Sequence, residues 1–304
     1  MTIEPPAPGE PRRPSGPRDP GDAWVIAPSG ERYWGRFGAA GLLAVDPRRG
    51  VLLQHRVGWS HFGGTWGLPG GARHQGEGAT DAALREAREE AGVPAAAVRP
   101  RFVSVLDVEI WTYTTVVAEV VVPFEPVIAD PESLELAWVG IDEVEDYPLH
   151  PGFGAAWPLL RESLRTRPTL IIDVANVVGA VPDGWWRDRA GAADRMLRRL
   201  RHLVDAGVDG EALGLRGDLW FPRIIGVVEG EARRAEVPDG LEVVLASEAG
   251  DDEIVATAAA AAARGEAVTV VTSDRELAAR VGAVGAATHG ARWLLDRLPE
   301  DVSA

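Results

Sequence analysis

The sequence contains no cysteine and no lysine. Without cysteine there is no disulfide and no thiolate zinc site, which fits a reducing compartment. All 31 basic residues are arginine, set against 46 acidic ones. The resulting net charge of −15 argues against a sequence-independent nucleic-acid coat or a polybasic membrane binder, while leaving room for a local basic groove. No apolar run is long enough to span a bilayer, and the first residues have no apolar signal core. These absences predict a cytoplasmic protein without a membrane partner, and they leave its oligomeric state unknown. What is present is ordinary globular material, 46% hydrophobic and 25% charged, and 304 residues suffice for two domains with separate cores.

Residues 1–21 carry seven prolines and few large apolar side chains, which predicts a disordered tail. Short strands are expected at 24–27, 39–45 and 51–56, then a glycine-rich loop at 58–70, a helix, strands near 102–110, 112–122 and 135–139, and a closing helix at 154–165. Few helices among many strands predict an α+β unit with helices on a mixed sheet, over residues 22–165. Pro168 interrupts the helical pattern and an apolar strand follows, placing a domain boundary at 165–169. Beyond it strands at 170–173, 223–228, 241–245 and 268–271 alternate with helices at 190–206, 251–264 and 275–281, the pattern of an α/β domain with a parallel sheet over residues 169–298.

Residues 71–93, GARHQGEGATDAALREAREEAGV, carry the densest chemistry. Residues 79–91 read as a helix closed by Gly92, with Pro94 just beyond. Glu86, Glu89 and Glu90 stand at i, i+3 and i+4, so their carboxylates share a face and repel one another unless a cation intervenes. The alternative is a solvated acidic face with Arg85 and Glu89 paired at i, i+4. The spacing Gly71, Glu77, Arg85-Glu86, Glu89-Glu90, Gly92, with apolar Ala87 and Val93, has a chance frequency on the order of 10⁻⁸ per starting position at ordinary composition.

This stretch resembles the signature of the Nudix hydrolases. The preceding Trp66-Gly67-Leu68-Pro69-Gly70-Gly71 and the later Glu135-x-x-Trp138 follow in that family's order. The resemblance implies water attack on phosphorus in a nucleoside diphosphate linked to another group. It implies Mg²⁺, with Mn²⁺ as the alternative, on Glu86, Glu89, Glu90 and the Gly71 carbonyl, Arg85 orienting a glutamate and Glu77 supporting the loop. Glu86, Glu90, Glu132 and Glu135 are the candidate bases. Trp59, His61 and Phe62 are candidates for stacking on substrate or for packing.

The second half has its own acidic set. Asp173 ends a strand and is followed by Asn176, Asp251 and Asp252 open a helix, and Asp274 follows another strand. Carboxyl ends of parallel strands converge on a ligand crevice, so these residues could meet there, although each aspartate also suits a helix cap. In this order they resemble the NYN domain of the PIN-like ribonuclease superfamily, with Val174 where a glycine is common and Glu229 as a further acidic candidate. The resemblance implies a second metal site and single-stranded RNA as a partner, beside the nucleotide substrate of the first half. Arg195, Arg198, Arg199 and His202 form a basic helical stripe, and Trp185 and Trp186 are either base-stacking or packing residues. The contrasting reading is a nucleotide- or RNA-binding regulator with catalytically silent sites.

Overall fold

The computed structural model describes residues 1–6, 19–182, 184–247 and 249–298. The chain divides into two compact units, Met1–Leu164 with Arg216–Asp218, and Arg165–Leu215 with the residues from Leu219 onward.

The first unit opens with an antiparallel sheet of β1 (Thr2–Glu4), β2 (Trp24–Ile26) and β3 (Arg32–Trp34). This corrects the expected tail at its start, because the backbone of Thr2–Glu4 pairs with Ile26, Val25 and Trp24. Backbone pairing needs no large apolar side chain, so composition did not signal it. Residues 7–18 of the expected tail lie outside the described residues.

The main sheet holds β4 (Ala39–Asp46), β5 (Gly50–Arg56), β6 (Trp66–Gly67), β7 (Gly70–Ala72), β8 (Val98–Asp107), β9 (Thr112–Val120) and β10 (Ser133–Val139). Its order is β10-β5-β4-β9-β8, with β6 on β5 and β7 on β4. The sheet is mixed, as expected: β4 and β9 are parallel, whereas the β5, β7, β8 and β10 pairings are antiparallel. Every residue of β4 is buried. Leu42, Leu43, Leu52 and Leu53 are at most 1% exposed, each stabilising the core by about 1.5–3 kcal/mol. The loop expected at 58–70 contains β6 and the first residue of β7, whose pairing partners lie elsewhere in sequence.

Helix α1 (Ala79–Ala91) has the expected bounds. Gly92 takes φ 64°, and the N–H groups of Gly92 and Val93 donate to the carbonyls of Arg88 and Ala87. This left-handed cap fits glycine. Ala82, Ala83, Ala87 and Ala91 are buried, giving α1 a small-residue face that lies close on the sheet. Helix α2 (Pro151–Ser163) follows β10.

The second unit is built on β11 (Pro168–Asp173), α3 (Val174–Gly179), α4 (Arg189–Ala206), the short antiparallel pair β12 (Val208–Asp209) and β13 (Leu219–Trp220), β14 (Arg223–Val228), β15 (Glu242–Leu245), α5 (Gly250–Ala263), β16 (Ala267–Val271), α6 (Arg275–Ala283), β17 (Ala287–His289) and α7 (Ala291–Leu295). Its sheet, ordered β15-β14-β11-β16-β17, is parallel throughout. Leu170 and Ile172 face a core shared with α4 and α7, while Ile171 faces one shared with α5 and α6. Burial of both sheet faces explains the continuous apolar run of β11. Strand β17 and helices α3 and α7 lay outside the sequence expectation because each is short. Among the described residues no helix is long and apolar enough to cross a membrane.

Candidate functional site

Helix α1 presents its acidic residues to β7. Glu86 and Glu90, one turn apart, are 3% and 6% exposed, whereas the Glu89 side chain stays 37% exposed at the rim. The expected single face of three carboxylates therefore resolves into a buried pair and one rim residue, as a 3.6-residue turn dictates. Among the described residues, no three His, Asp or Glu side chains are gathered as a finished metal cage.

Strand β7 fits this pair through glycine. A Cβ on Gly71 would lie 2.7 Å from Glu86 Cδ, so the carboxylate rests against the Gly71 backbone. The Gly70 N–H donates to Glu90 Oε2 at 2.9 Å. A Cβ on Gly70 would instead strike backbone, Ala40 O at 2.5 Å and Gly41 Cα at 2.6 Å. The two glycines thus make a contrasting pair. Gly71→Ala is expected to displace a flexible carboxylate, lowering kcat at least about tenfold while the thermal midpoint moves little. Gly70→Ala is expected to destabilise the fold through backbone overlap, by about 1–3 kcal/mol. Steady-state kinetics and thermal unfolding of both variants check this contrast.

Arg85 organises the acidic residues. Its Nε and NH2 donate to Glu77 at 2.7 and 2.9 Å, NH1 donates to Glu86 at 2.6 Å, and NH2 also reaches the Ala72 carbonyl at 3.0 Å. Glu89 lies 3.7 Å from NH1. The Arg85 guanidinium holds the Glu77 carboxyl down to about 2, against a smaller opposing effect of burial. Glu77 also accepts from the His74 N–H at 2.8 Å, tying the loop to the helix. Burial pushes the Glu90 carboxyl well above the usual range; Glu86 and Glu132 add to this, and Arg56 and the Gly70 N–H partly offset it. Of the two outlying base candidates, Glu132 acts on this pair. Glu135 is exposed and registers with His55, on the face of β5 opposite Arg56.

Three residues here lay outside the sequence expectation. Arg56, at the end of β5, acts on Glu90, and its Nε is buried without a hydrogen-bond partner. Tyr113 on β9 is pushed up to about 12, by burial first, with Arg56 offsetting and Glu90 and Glu86 adding; a Cβ on Gly41 would lie 2.2 Å from its hydroxyl. His150 caps α2. Strand alternation could have drawn attention to Arg56, and the Pro151 that follows His150 is a helix-start signal. Trp59 and Phe62 are 49% and 46% exposed.

The profile of the NUDIX domain matches residues 35–161. Proteins named "Putative 8-oxo-dGTP diphosphatase 3" from two strains of Mycobacterium tuberculosis are 50% identical over 162 residues, covering 50% of this chain and 74% of theirs. The chain belongs to the Nudix family. Its Nudix part has the mixed-sheet fold described above and is a hydrolase acting on phosphoanhydride bonds. The crystal structure of the M. smegmatis Nudix hydrolase RenU is 50% identical, with a TM-score of 0.44, and the match covers 47% of this chain and 95% of that one. The crystal structure of Rae1 (YacP) from Bacillus subtilis is 21% identical, with a TM-score of 0.31, covering 43% and 74% respectively.

The second unit holds the other acidic set at the carboxyl edge of its parallel sheet. Asp173 is 8% exposed; its Oδ1 accepts the Asn176 N–H at 3.0 Å and its Oδ2 the Thr272 hydroxyl at 2.9 Å. Burial raises its carboxyl, the two hydrogen bonds offset this, and Asp251 and Glu229 add to the rise. Asp251 is raised by burial and then by Asp274. Asp274 also caps α6 through the Glu276 and Leu277 N–H groups, so its capping role holds. Asn176 Oδ1 accepts the Ser273 N–H at 2.8 Å, and Glu229 accepts the Gly250 N–H at 2.8 Å. Asp252 is ion-paired with Arg280, its side chain is 72% exposed, and its charge adds to the rise at Asp251. On α4, Arg198 and His202 are exposed while Arg195 and Arg199 are half-buried. Trp185 packs on the core and Trp186 is 59% exposed.

Proposed function

We propose that the first unit cleaves nucleoside triphosphates and related nucleoside diphosphate derivatives by water attack on phosphorus, releasing nucleoside monophosphate. The observation that carries this reading is the buried pair Glu86 and Glu90, set against the Gly70–Gly71 backbone with an arginine beside each. Two buried carboxylates whose charges oppose one another, with a third at the rim, are an all-oxygen donor set suited to a hard cation such as Mg²⁺ or Mn²⁺. Glu86, Glu89, Glu90 and the Gly71 carbonyl would hold it. A divalent cation bound there would supply positive charge against the phosphate oxygens. The chain's own contributions are distinct from this. Arg85 holds Glu86 and Glu77, and Glu90 or Glu132 would take the proton of the attacking water. The name of the M. tuberculosis relatives directs the substrate choice toward 8-oxo-dGTP. Incubating the protein with a nucleotide panel and Mg²⁺ tests the reading; release of nucleoside monophosphate is expected, and a regulator with silent sites would release none.

A second reading concerns residues 169–298, for which we propose a NYN/PIN-like domain that cleaves single-stranded RNA. It is supported by Asp251 and Glu229 acting on Asp173, and Asp274 and Glu229 acting on Asp251, at the carboxyl edge of a parallel sheet. Asp173→Asn combined with Asp274→Asn is expected to abolish Mg²⁺-dependent cleavage of single-stranded RNA and leave nucleotide hydrolysis unchanged. RNA cleavage surviving the double substitution would remove these aspartates from the chemistry. Absence of cleavage by the wild type on varied RNAs would favour a binding role.

A further inference from the structure

The loop after β5 holds an aromatic side chain in a conformation that needs explaining. Phe62 takes φ 55°, in the left-handed region that disfavours residues with a Cβ. The turn is pinned around it: the Gly63 N–H donates to Ser60 O at 2.9 Å, Ser60 Oγ to Val57 O at 2.8 Å, and Thr65 Oγ1 to Phe62 O at 2.6 Å. The strained backbone leaves the ring 46% exposed, nearly perpendicular to His150 with centroids 4.8 Å apart at 82°, and 4.2 Å from His61.

His150 is fixed from its other side. Its Nδ1 accepts the Gly152 N–H at 3.1 Å at the start of α2. A ring whose Nδ1 accepts carries its proton, when neutral, on Nε2. Burial, then the charges of Arg56 and His61, keep the ring neutral by lowering its pKa to about 4. Gly67 opens space beside it, since a Cβ there would touch His150 Cβ at 3.4 Å and Arg56 Cδ at 3.9 Å. Arg56 acts on both His150 and Glu90, so the aromatic pair and the acidic pair flank one arginine.

We propose that His150 is a specificity-determining residue: Phe62 receives the face of a purine, and the Nε2–H of His150 donates to its O6 carbonyl. Guanine-type bases present an acceptor at that position and adenine presents an amino donor, so adenine would leave two donors facing each other. The inference rests on the nucleotide-hydrolase reading above and adds which base that site takes. Because guanine and 8-oxoguanine share the O6 carbonyl, His150 does not discriminate between them.

The test compares kcat/KM for dGTP, 8-oxo-dGTP and dATP in wild type, His150→Ser and Phe62→Leu. Serine retains a side-chain cap for α2 but is too short to reach the base. In His150→Ser the dGTP-to-dATP ratio is expected to fall about tenfold or more, with the 8-oxo-dGTP-to-dGTP ratio unchanged within about twofold. Phe62→Leu is expected to raise KM for all three substrates and leave both ratios in place. A wild-type enzyme without preference for guanine over adenine, or a His150→Ser variant with the wild-type ratio, overturns the proposal while leaving the hydrolase reading intact. Wild type inactive on all three nucleotides overturns both.

Discussion

Glu90→Gln is expected to lower kcat/KM for nucleotide hydrolysis by about 10²–10⁴-fold, the rate equivalent of losing several kcal/mol of charge stabilisation at phosphorus. Glutamine preserves the volume and can still accept the Gly70 N–H, so the fold should remain. Stability in chelator should move the other way. The Glu90 carboxyl titrates well above its ordinary range because of burial and then Glu86. The folded state therefore binds its proton more tightly than the unfolded chain. Linkage makes this group's contribution most favourable below the ordinary carboxylate pKa, and stability declines as pH rises from there through the raised value. Glu90→Gln removes the penalty, so its thermal midpoint in chelator should exceed that of wild type at neutral pH, and the gap should close as pH falls toward 4.5, the ordinary glutamate value. A lower midpoint for the variant at neutral pH would show that the Glu90 charge stabilises the fold.

Arg85→Ala should have the largest effect on stability. The Arg85, Glu77 and Glu86 side chains are 14%, 15% and 4% exposed, so removing the guanidinium leaves two poorly hydrated carboxylates without their main partner. Breaking a buried ion pair from one side costs about 3–5 kcal/mol. The sign of the pH dependence is opposite to that of Glu90. The Glu77 carboxyl is held down to about 2 from 4.5, so its stabilisation is present above 4.5 and is lost as pH falls through about 2. The gap between wild type and Arg85→Ala, measured by chemical denaturation, should therefore narrow over that window. A gap of under about 1 kcal/mol at neutral pH would place the triad among ordinary surface pairs.

Much of this site is legible in the sequence, because its information is local. A helix of alanine, glutamate and arginine closed by Gly92 specifies its own bounds, and fixed helical spacing puts Glu86 over Glu90. The shared face did not specify burial, and one residue's rotation carries Glu89 to the rim. Strands β6 and β7 were hidden because glycine-rich segments lack strand character, and their pairing comes from β5 and β4. His150 and Arg56 were hidden for the same reason: their roles depend on neighbours distant in sequence. In the second unit Asp251 acts on Asp173 and Asp274 acts on Asp251, in keeping with the strand-end rule. Asp252 adds its charge to Asp251 from the next position and is ion-paired with Arg280 of α6.

The pair Glu86 and Glu90 is proposed to turn over a nucleotide by attack that frees its monophosphate. Phosphorus NMR of dGTP or 8-oxo-dGTP incubated with Mg²⁺ and either wild type or the combined Glu86→Gln, Glu90→Gln variant tests it most directly. Wild type is predicted to yield nucleoside monophosphate and pyrophosphate while the variant leaves the triphosphate intact; equal turnover by both proteins, or no turnover by wild type, would contradict the account.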